Sequence, residues 1–456
     1  MSTLTIAIVI VFVFGYACIA LESITRVNKA AIALLMLVVC WTLFMFNPGE
    51  YLTGYSGDAL YDEVNEVIGM HLGSTATTLF FLMGAMTIVE IVDQYGGFNF
   101  VRDTLKTTNK RSLLWRIAFM SFFVTAILDN MTTSIVMIMI IRKLVQEKTD
   151  RIVYASLVII AANSGGAFSP IGDVTTIMLW NTNLITATGV IKEIFLPSLI
   201  SMMIPAFLLQ FTLKGKLDTE SVLPKRLPEQ ETMSAAISDE FTSLQRKTIF
   251  VLGVGGLMFV PVFKSLTQLP PYLGILLVLG ILWTITEIFC AHLKHPEQGD
   301  TMQKRVSNLL SLIEISTILI FHGILMAVSC LEEIGILTAL GQWLNNASNG
   351  NHYLVTGAIG ILSSIVDNVP LVAGCMGMYP LAPTGDMAVD GIFWQLLAYC
   401  AGVGGSLLII GSAAGVVVMG LEKITFGWYM KHITPVAFIG YLAGIVCYWL
   451  LRTFVF

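Results

Sequence analysis

Two Asp-Asn pairs lie inside stretches of the sequence that are otherwise apolar. The first pair, Asp129-Asn130, is followed by Met-Thr-Thr, and the second pair, Asp367-Asn368, is followed by Val-Pro. Moving a carboxylate into the hydrocarbon core of a membrane is costly, and carboxylates at that depth mark ion and proton pathways. The two pairs therefore predict a pathway for a cation or a proton.

A third acid, Asp173, closes a glycine-rich stretch that begins at Asn163 and reads Asn-Ser-Gly-Gly-Ala-Phe-Ser-Pro-Ile-Gly-Asp. Glycine and proline weaken a continuous helix. An unwound segment is tolerated at membrane depth where its backbone lines a polar cavity. The stretch 402–412 has a similar glycine pattern. Both stretches therefore predict broken helices, although glycines that merely allow close helix packing are the alternative interpretation.

The candidate side chains of these stretches carry hard oxygen donors, which suit a small hard cation rather than a soft metal. We expect Na⁺ to bind at the three carboxylates and no cofactor other than the transported Na⁺ or Li⁺ and H⁺. Each acid has a structural alternative, in which it pairs only with a buried amide or a helix N-terminus. One expected group of ligands comprises Asp129, Asn130, Asn163, Asp173, Thr175 and Thr176, and the other comprises Asp367, Asn368, Ser406 and Ser412.

The same carboxylates can carry protons. Desolvation and a neighbouring negative charge favour a protonated carboxyl, whereas a bound cation favours the ionised form. Binding of Na⁺ and of H⁺ then exclude each other, and this competition alone gives cation/proton antiport. His322, inside an apolar segment, is a candidate pH sensor because histidine titrates near neutral pH. A histidine that only packs within the helix bundle fits the sequence equally well.

The composition places these residues in an all-α polytopic membrane protein. The chain has 456 residues, of which 56% are hydrophobic and 12% charged, and its mean hydropathy is +0.81. These values exclude an ordinary soluble enzyme, because many apolar runs are long enough to cross a bilayer. We expect about ten full spans, near residues 4–21, 29–46, 72–95, 152–182, 194–213, 248–263, 272–291, 312–334, 393–421 and 432–451.

Two further apolar stretches, 113–141 and 353–381, are too long for one span and too short for two, since about 29 residues of helix measure about 43 Å. Lysine and arginine flank the first stretch on both sides, so both of its ends should face the cytoplasm. No lysine or arginine occurs from Val306 to Glu422. The two stretches therefore predict re-entrant helical hairpins of opposite sense. The acidic loop 47–71 and both termini should lie outside.

The hairpins and broken spans align between the two halves of the chain at an offset of 238–239 residues. Interrupted hydrophobic segments at matching positions indicate inverted-topology repeats with a site near the midplane. The predicted units are an N-terminal scaffold part at 1–71, repeat 1 at 72–213, a cytoplasmic linker at 214–247, scaffold spans at 248–311 and repeat 2 at 312–456. Repeat 1 contains hairpin 113–141 and broken span 152–182, and repeat 2 contains hairpin 353–381 and broken span 393–421.

With these motifs the sequence resembles the NhaD-type sodium/proton antiporters of the ion transporter superfamily. The resemblance rests on Leu-Asp-Asn-Met-Thr-Thr at 128–133, the stretch 163–176 and Val-Asp-Asn-Val-Pro at 366–370. It implies a multi-pass protein of the bacterial inner membrane that exchanges cytoplasmic Na⁺ or Li⁺ for external protons in pH homeostasis. It also implies a homodimer, an elevator motion and no nucleic-acid partner.

The alternative interpretation is Na⁺-coupled symport of di- or tricarboxylates. Symporters of the same superfamily resemble this chain in paired hairpins and broken helices, but they carry Ser-Asn-Thr at the hairpin tips. Both tips here read Asp-Asn, which replaces a neutral anion-binding tip with an acid. An enzyme is not expected, because the sequence offers neither a nucleophile–base pair nor an appended domain.

Overall fold

The computed structural model describes residues 2–20, 27–52, 54–95, 105, 107–213, 215, 241–291, 315–365 and 368–455. Helices form the regular structure of these ranges, which confirms the all-α prediction. In chain order the helices are α1 (Thr3–Ala20), α2 (Lys29–Met45), α3 (Asp58–Gln94), α4 (Lys110–Thr125), α5 (Asn130–Leu144), α6 (Lys148–Ala167), α7 (Val174–Asn181), α8 (Ala187–Leu209), α9 (Ser243–Thr267), α10 (Pro271–Ala291), α11 (Ile315–Glu333), α12 (Ile336–Ala347), α13 (His352–Leu362), α14 (Asn368–Met378), α15 (Ile392–Gly404), α16 (Ala413–Glu422), α17 (Phe426–His432) and α18 (Thr434–Phe454).

Six of the described helices are long and apolar enough to cross a membrane: α3, α8, α9, α10, α11 and α18. Seven shorter apolar helices accompany them, including both helices of α13–α14 and of α15–α16. A chain with this many apolar helices is a polytopic membrane protein. The count of ten full spans stays a prediction.

Helix α3 is longer than the sequence suggested. We expected a loop over 47–71 and a span over 72–95, but α3 runs without interruption for 37 residues, or about 55 Å at 1.5 Å per residue. Val64 and Val67 explain the extension, because they lie on one helical face and are buried against the N-terminal helices. The acidic side chains occupy the remaining faces, so their clustering reflects an amphipathic helix rather than a loop.

The stretch 113–141 is a helical hairpin in the structure. Helix α4 ends at Thr125, four residues turn the chain, and α5 begins at Asn130 with Asp129 as its N-cap. The stretch 353–381 likewise contains two helices, α13 and α14, with the turn between them. Asp367, predicted at the tip of this second hairpin, lies outside the described residues.

Two helices break where glycines and a proline or serines interrupt the apolar sequence. Helix α6 ends at Ala167 and α7 begins at Val174, so six residues leave helical geometry. Helix α15 ends at Gly404 and α16 begins at Ala413. Residues 154–167 and 393–404 are all buried, which places both broken segments in the centre of the bundle.

Each hairpin packs backbone to backbone against the broken helix of its own half. A Cβ atom at Gly165 would clash with the carbonyl oxygen of Phe122. A Cβ atom at Gly404 would clash with the carbonyl oxygen of Gly360 in the same way. Both glycine positions and both partners are displaced by 238 or 239 residues along the chain. The matching contacts support a repeated unit, and they require glycine because no side chain fits between the two backbones.

Candidate ion-binding site

Asp173 is the buried carboxylate around which the site is built. Its side chain caps the N-terminus of α7, where Oδ1 accepts from the backbone N–H and from the hydroxyl of Thr175, at 3.1 Å each. The hydroxyl of Thr176 donates to the backbone carbonyl of Asp173 at 2.8 Å. Only 2% of Asp173 is exposed. The break after α6 therefore turns a carboxylate into the protein interior and supplies local donors to it.

Both hairpins reach this carboxylate through an asparagine. Asn130, at the start of α5, donates from Nδ2 to Oδ2 of Asp173 at 3.2 Å. Asn368, at the start of α14, donates from Nδ2 to both carboxylate oxygens at 3.2 Å. Asn368 is separated from Asp173 by 195 residues along the chain. Asp173 is thus a point at which side chains from the two halves of the protein meet.

Asn163 connects this cluster to the second broken helix. Its Oδ1 accepts from Asn130 Nδ2 at 3.0 Å, and its own Nδ2 donates to Oγ of Ser412 at 3.0 Å. Ser412 caps α16 by accepting from the backbone N–H of Gly415 at 3.2 Å. The sequence suggested two separate groups of ligands. The structure instead joins Asn130, Asn163, Asp173, Asn368 and Ser412 in one hydrogen-bonded network, which we call the central network.

Four helix N-termini point at the central network, namely those of α5, α7, α14 and α16. Each carries partial positive charge from its unpaired N–H groups, and a cluster of such ends would bind an anion. Here Asp129 and Asp173 cap two of them, so the chain itself supplies the negative charge. The two carboxylates therefore occupy helix ends at which an anion would otherwise bind.

Asp129 stands apart from the central network although Asn130 is its neighbour. Oδ1 accepts from the backbone N–H of Thr132 at 2.8 Å, and Oδ2 accepts from the Thr132 hydroxyl at 2.6 Å. Within the described part of the chain these are its hydrogen bonds, and both are local to the first turn of α5. The residue is half-buried, whereas Asp173 is almost fully buried.

A cavity of about 60 Å³ adjoins the tip of the first hairpin, which is room for several water molecules. Asp129 and Asn130 line it, opposite apolar side chains of α3, α9 and α11 such as Phe81, Leu257 and Phe321. Asp173 is not among the lining residues. Asp129 therefore lines the cavity directly, whereas Asn130, a hydrogen-bond partner of Asp173, lies between that cavity and the central network.

Ser406 and His322 also lie outside the central network. The hydroxyl of Ser406 donates to the carbonyl of Val403 at 2.7 Å, and the carbonyl of Ser406 accepts from Tyr429 at 2.8 Å. Its side chain completes a helix end rather than facing Asp173. His322 lies on α11, and its Nδ1 is buried without a hydrogen-bond partner among the described residues. It makes no described contact with the central network.

Comparison with known proteins assigns the chain to a family. A family model described as citrate transporter matches residues 16–397. Sodium/proton antiporter 1 of Arabidopsis thaliana is 42% identical over 97% of this chain and 72% of its own length. The Na⁺/H⁺ antiporter NhaD of Alkalimonas amylolytica is 30% identical over 96% of this chain and 89% of its own, and that of Vibrio cholerae is 28% identical over 99% and 92%. The chain belongs to the NhaD-type sodium/proton antiporters.

The NhaD-type chain also shares its fold with a solved transporter. The YdaH transporter of Alcanivorax borkumensis superposes with a TM-score of 0.59 over 94% of this chain and 99% of that one, at 12% identity. At that identity the similarity describes the fold alone. The family is one of membrane transporters, so the prediction that the protein is not an enzyme agrees with it.

Sequence reasoning missed Thr132, the partner of Asp129. An acidic N-cap accepts hydrogen bonds from the third helical residue, and Thr132 stands at that position with both a backbone and a side-chain donor. The Asp-Asn-Met-Thr order is therefore the signal that could have found it. In this antiporter Thr132 holds the carboxylate of Asp129 in a fixed orientation beside the cavity.

Sequence reasoning also missed two polar interactions that join the halves of the chain. At the end of α16, the buried carboxylate of Glu422 lies 2.6 Å from Nε of Arg142 on α5 and 2.6 Å from Nε of Arg151 on α6. Beyond the end of α7, Asp390 accepts from the backbone N–H of Thr186 at 2.7 Å and from its hydroxyl at 2.6 Å. The first interaction ties α16 to α5 and α6, and the second ties Thr186, the N-cap of α8, to the segment before α15, so each joins the two halves.

Proposed function

We propose that this NhaD-type antiporter exchanges Na⁺ or Li⁺ from the cytoplasm for external protons across its membrane. The observation that carries the proposal is Asp173, a buried carboxylate on which an asparagine from each hairpin converges. The names of the relatives as sodium/proton antiporters agree with it. Na⁺ takes oxygen ligands, and the central network offers them from Asp173, Asn163 and Ser412 within one connected group.

Asp129 and Asp173 have different parts in the proposed exchange. Asp173 receives charged hydrogen bonds from three side chains, and such bonds stabilise a carboxylate more than a carboxylic acid. Among the described residues, Thr132 alone donates to Asp129, which also faces the cavity. We assign to Asp129 the proton exchange and to Asp173 the retention of the cation, with Na⁺ and H⁺ competing for the pair.

The hairpins couple binding to movement in this proposal. Binding or release of the cation at Asp173 changes the hydrogen bonds of Asn130 and Asn368 together, because both donate to this carboxylate. The two hairpin tips then respond to one event. The paired glycine contacts at an offset of 238 or 239 residues support inverted repeats, and an elevator movement of the repeats against a dimeric scaffold completes the account.

The proposal also names the membrane in which the protein lies. Relatives from bacteria and from Arabidopsis thaliana both align with almost the whole chain. We propose the bacterial inner membrane, with a role in pH homeostasis there. Expression in a bacterial host that lacks its own sodium/proton antiporters tests both points through growth in high Na⁺ at alkaline pH.

The direct test uses everted membrane vesicles that hold a pH gradient and a pH-sensitive dye. Addition of Na⁺ or Li⁺ should dequench the dye, whereas K⁺ should not. Vesicles with the Ser406→Ala variant provide a matched control, because Ser406 lies on the second broken segment but outside the central network. Correctly inserted protein that gives no response to Na⁺ between pH 7 and 9 would exclude antiport.

Na⁺-coupled uptake of a di- or tricarboxylate is the second candidate, favoured by the family model described as citrate transporter and by the four converging helix N-termini. It predicts accumulation of labelled carboxylate that depends on Na⁺, with little bare cation/proton exchange. The carboxylates of Asp129 and Asp173 at those N-termini oppose it, because they repel an anionic substrate.

A further inference from the structure

Asp173 and Ser412 occupy equivalent places in the two halves of the molecule. Each is the N-cap of the second segment of a broken helix, α7 or α16. Their backbone angles are nearly the same, with φ −143° and ψ 147° at Asp173 and φ −146° and ψ 155° at Ser412. A Cβ atom at Gly166 would lie 3.2 Å from Cβ of Asp173, and one at Gly405 would lie 3.2 Å from Cβ of Ser412.

The two positions also share burial, with 2% of Asp173 and 3% of Ser412 exposed. They differ in charge. A carboxylate at the first position accepts from Asn130, Asn368 and Thr175, whereas a neutral hydroxyl at the second accepts from Asn163. Positions 173 and 412 therefore match in backbone conformation, capping role and burial. They differ in the charge of the side chain.

The second position is equipped for a carboxylate. Asn163 already aims an amide N–H at the side chain of Ser412 at 3.0 Å, and the backbone N–H of Gly415 lies 3.2 Å from the same oxygen. A carboxylate there would cap α16 as Asp173 caps α7, since aspartate and serine are both favoured N-caps. The hydrogen-bond donors around position 412 therefore suit a carboxylate as well as the hydroxyl of Ser412.

The number of carboxylates around a cation decides which valence it favours. Sites for Ca²⁺ in proteins combine several carboxylates with neutral oxygens, and their affinity follows the charge count of the ligands. Asp173 is the one carboxylate among the described members of the central network, where it balances a single positive charge. A second carboxylate at 412, linked to the first through Asn163 and Asn130, would balance two.

We propose that Ser412 determines the valence specificity of the site: by leaving the second broken helix uncharged, it restricts exchange to monovalent cations. The inference rests on the proposed function, because it names the cation class of the same site. It predicts that Ser412→Asp admits Ca²⁺, whereas the neutral variant of the same size, Ser412→Asn, does not.

The experiment compares Na⁺ and Ca²⁺ as triggers of dye dequenching in vesicles of wild type, Ser412→Asn and Ser412→Asp. It also measures stabilisation of each purified protein by either ion in a thermal unfolding assay. Wild type should respond to Na⁺ and not to Ca²⁺. Ser412→Asp should gain a Ca²⁺ response about tenfold above that of Ser412→Asn, with Ca²⁺ also raising its Tm.

Several results would overturn the inference. Exchange of Ca²⁺ by wild type as readily as Na⁺ would contradict it. A Ser412→Asp protein that inserts correctly but shows neither a Ca²⁺ response nor stabilisation by Ca²⁺ would also contradict it. Insertion of Ser412→Asn together with failure of Ser412→Asp would also contradict it, because Asn163 and Gly415 would then not accommodate a carboxylate. Absence of any Na⁺ response in wild type is a different outcome, since it removes the proposed function itself.

Discussion

Asp129 and Asp173 perform the same structural task in different surroundings. Each caps a helix that begins at the central network, and each accepts from a threonine in the first turn of that helix. Asp173 is buried and also accepts from Asn130 and Asn368. Asp129 is half-buried and lines the cavity beside α3, α9 and α11.

In the proposed exchange this difference assigns retention of the cation to Asp173 and proton exchange to Asp129. A carboxylate with many donors from distant parts of the chain keeps the two halves together, and its loss should be felt in stability as well as in transport. A carboxylate with local donors beside a cavity can gain and lose a proton without disturbing the packing. The predictions below test that separation, beginning with the largest expected effect.

Asp173→Asn should reduce Na⁺-dependent exchange to background, a loss of about 100-fold or more, and lower the free energy of unfolding by about 2 kcal/mol. The amide turns charged hydrogen bonds into neutral ones and presents an N–H to Asn130 or Asn368, which are donors themselves. Dye dequenching and thermal unfolding in detergent measure the two effects. Wild-type exchange in this variant would remove Asp173 from the site.

Asp129→Asn should abolish exchange to a similar extent but change the free energy of unfolding by less than about 1 kcal/mol, because asparagine is an equally good N-cap. The backbone N–H of Thr132 keeps its acceptor. The same two measurements apply. A loss of stability as large as that of Asp173→Asn would contradict the separate roles proposed for the two carboxylates.

Asn130→Ala and Asn368→Ala each remove one hairpin from Asp173. Each should raise the KM for Na⁺ about tenfold, which corresponds to the loss of one hydrogen bond to a charged group. Their effects should not add in the double variant, because both amides act on one carboxylate. Initial rates against Na⁺ concentration provide the check, with Ser406→Ala as the matched control. Strict additivity would mean that the hairpins respond separately.

Thr132→Val should have the smallest effect. It removes the hydroxyl that donates to Asp129 at 2.6 Å and leaves the backbone donor in place. The loss of one local hydrogen bond, about 1 kcal/mol, should lower the rate of exchange about fivefold or less. Dye dequenching by Na⁺ measures the change. A loss as large as that of Asp129→Asn would contradict the smaller role given to Thr132.

The sequence predicted where the helices break and which polar residues lie at the breaks. Asp129 at a hairpin tip, the interruption before Asp173 and the glycine stretch before Ser412 all follow from local rules, because proline, glycine and buried charge act within a few residues. The N-terminal extension of α3 did not follow, since the acidic residues of 58–71 hid the buried face formed by Val64 and Val67.

Local sequence rules could not predict that the two groups of candidate ligands join in one central network. Asn163 and Ser412 are 249 residues apart, and their contact depends on how two buried broken helices cross. The distinction between Ser406 and Ser412 has the same origin. Both lie in one glycine-rich stretch, but Ser406 turns back to Val403 whereas Ser412 caps the next helix beside Asn163. The contrasting exposure of Asp129 and Asp173 is likewise a property of the assembled bundle.

The most direct test of the central claim measures the KM for Na⁺ of the purified antiporter in liposomes as a function of pH. If Na⁺ and H⁺ compete for the same carboxylates, the KM should rise about tenfold for each unit by which pH falls through the acidic limb, at constant maximal rate. A KM that does not change with pH, with a maximal rate that falls instead, would contradict competition and place the proton on a separate path.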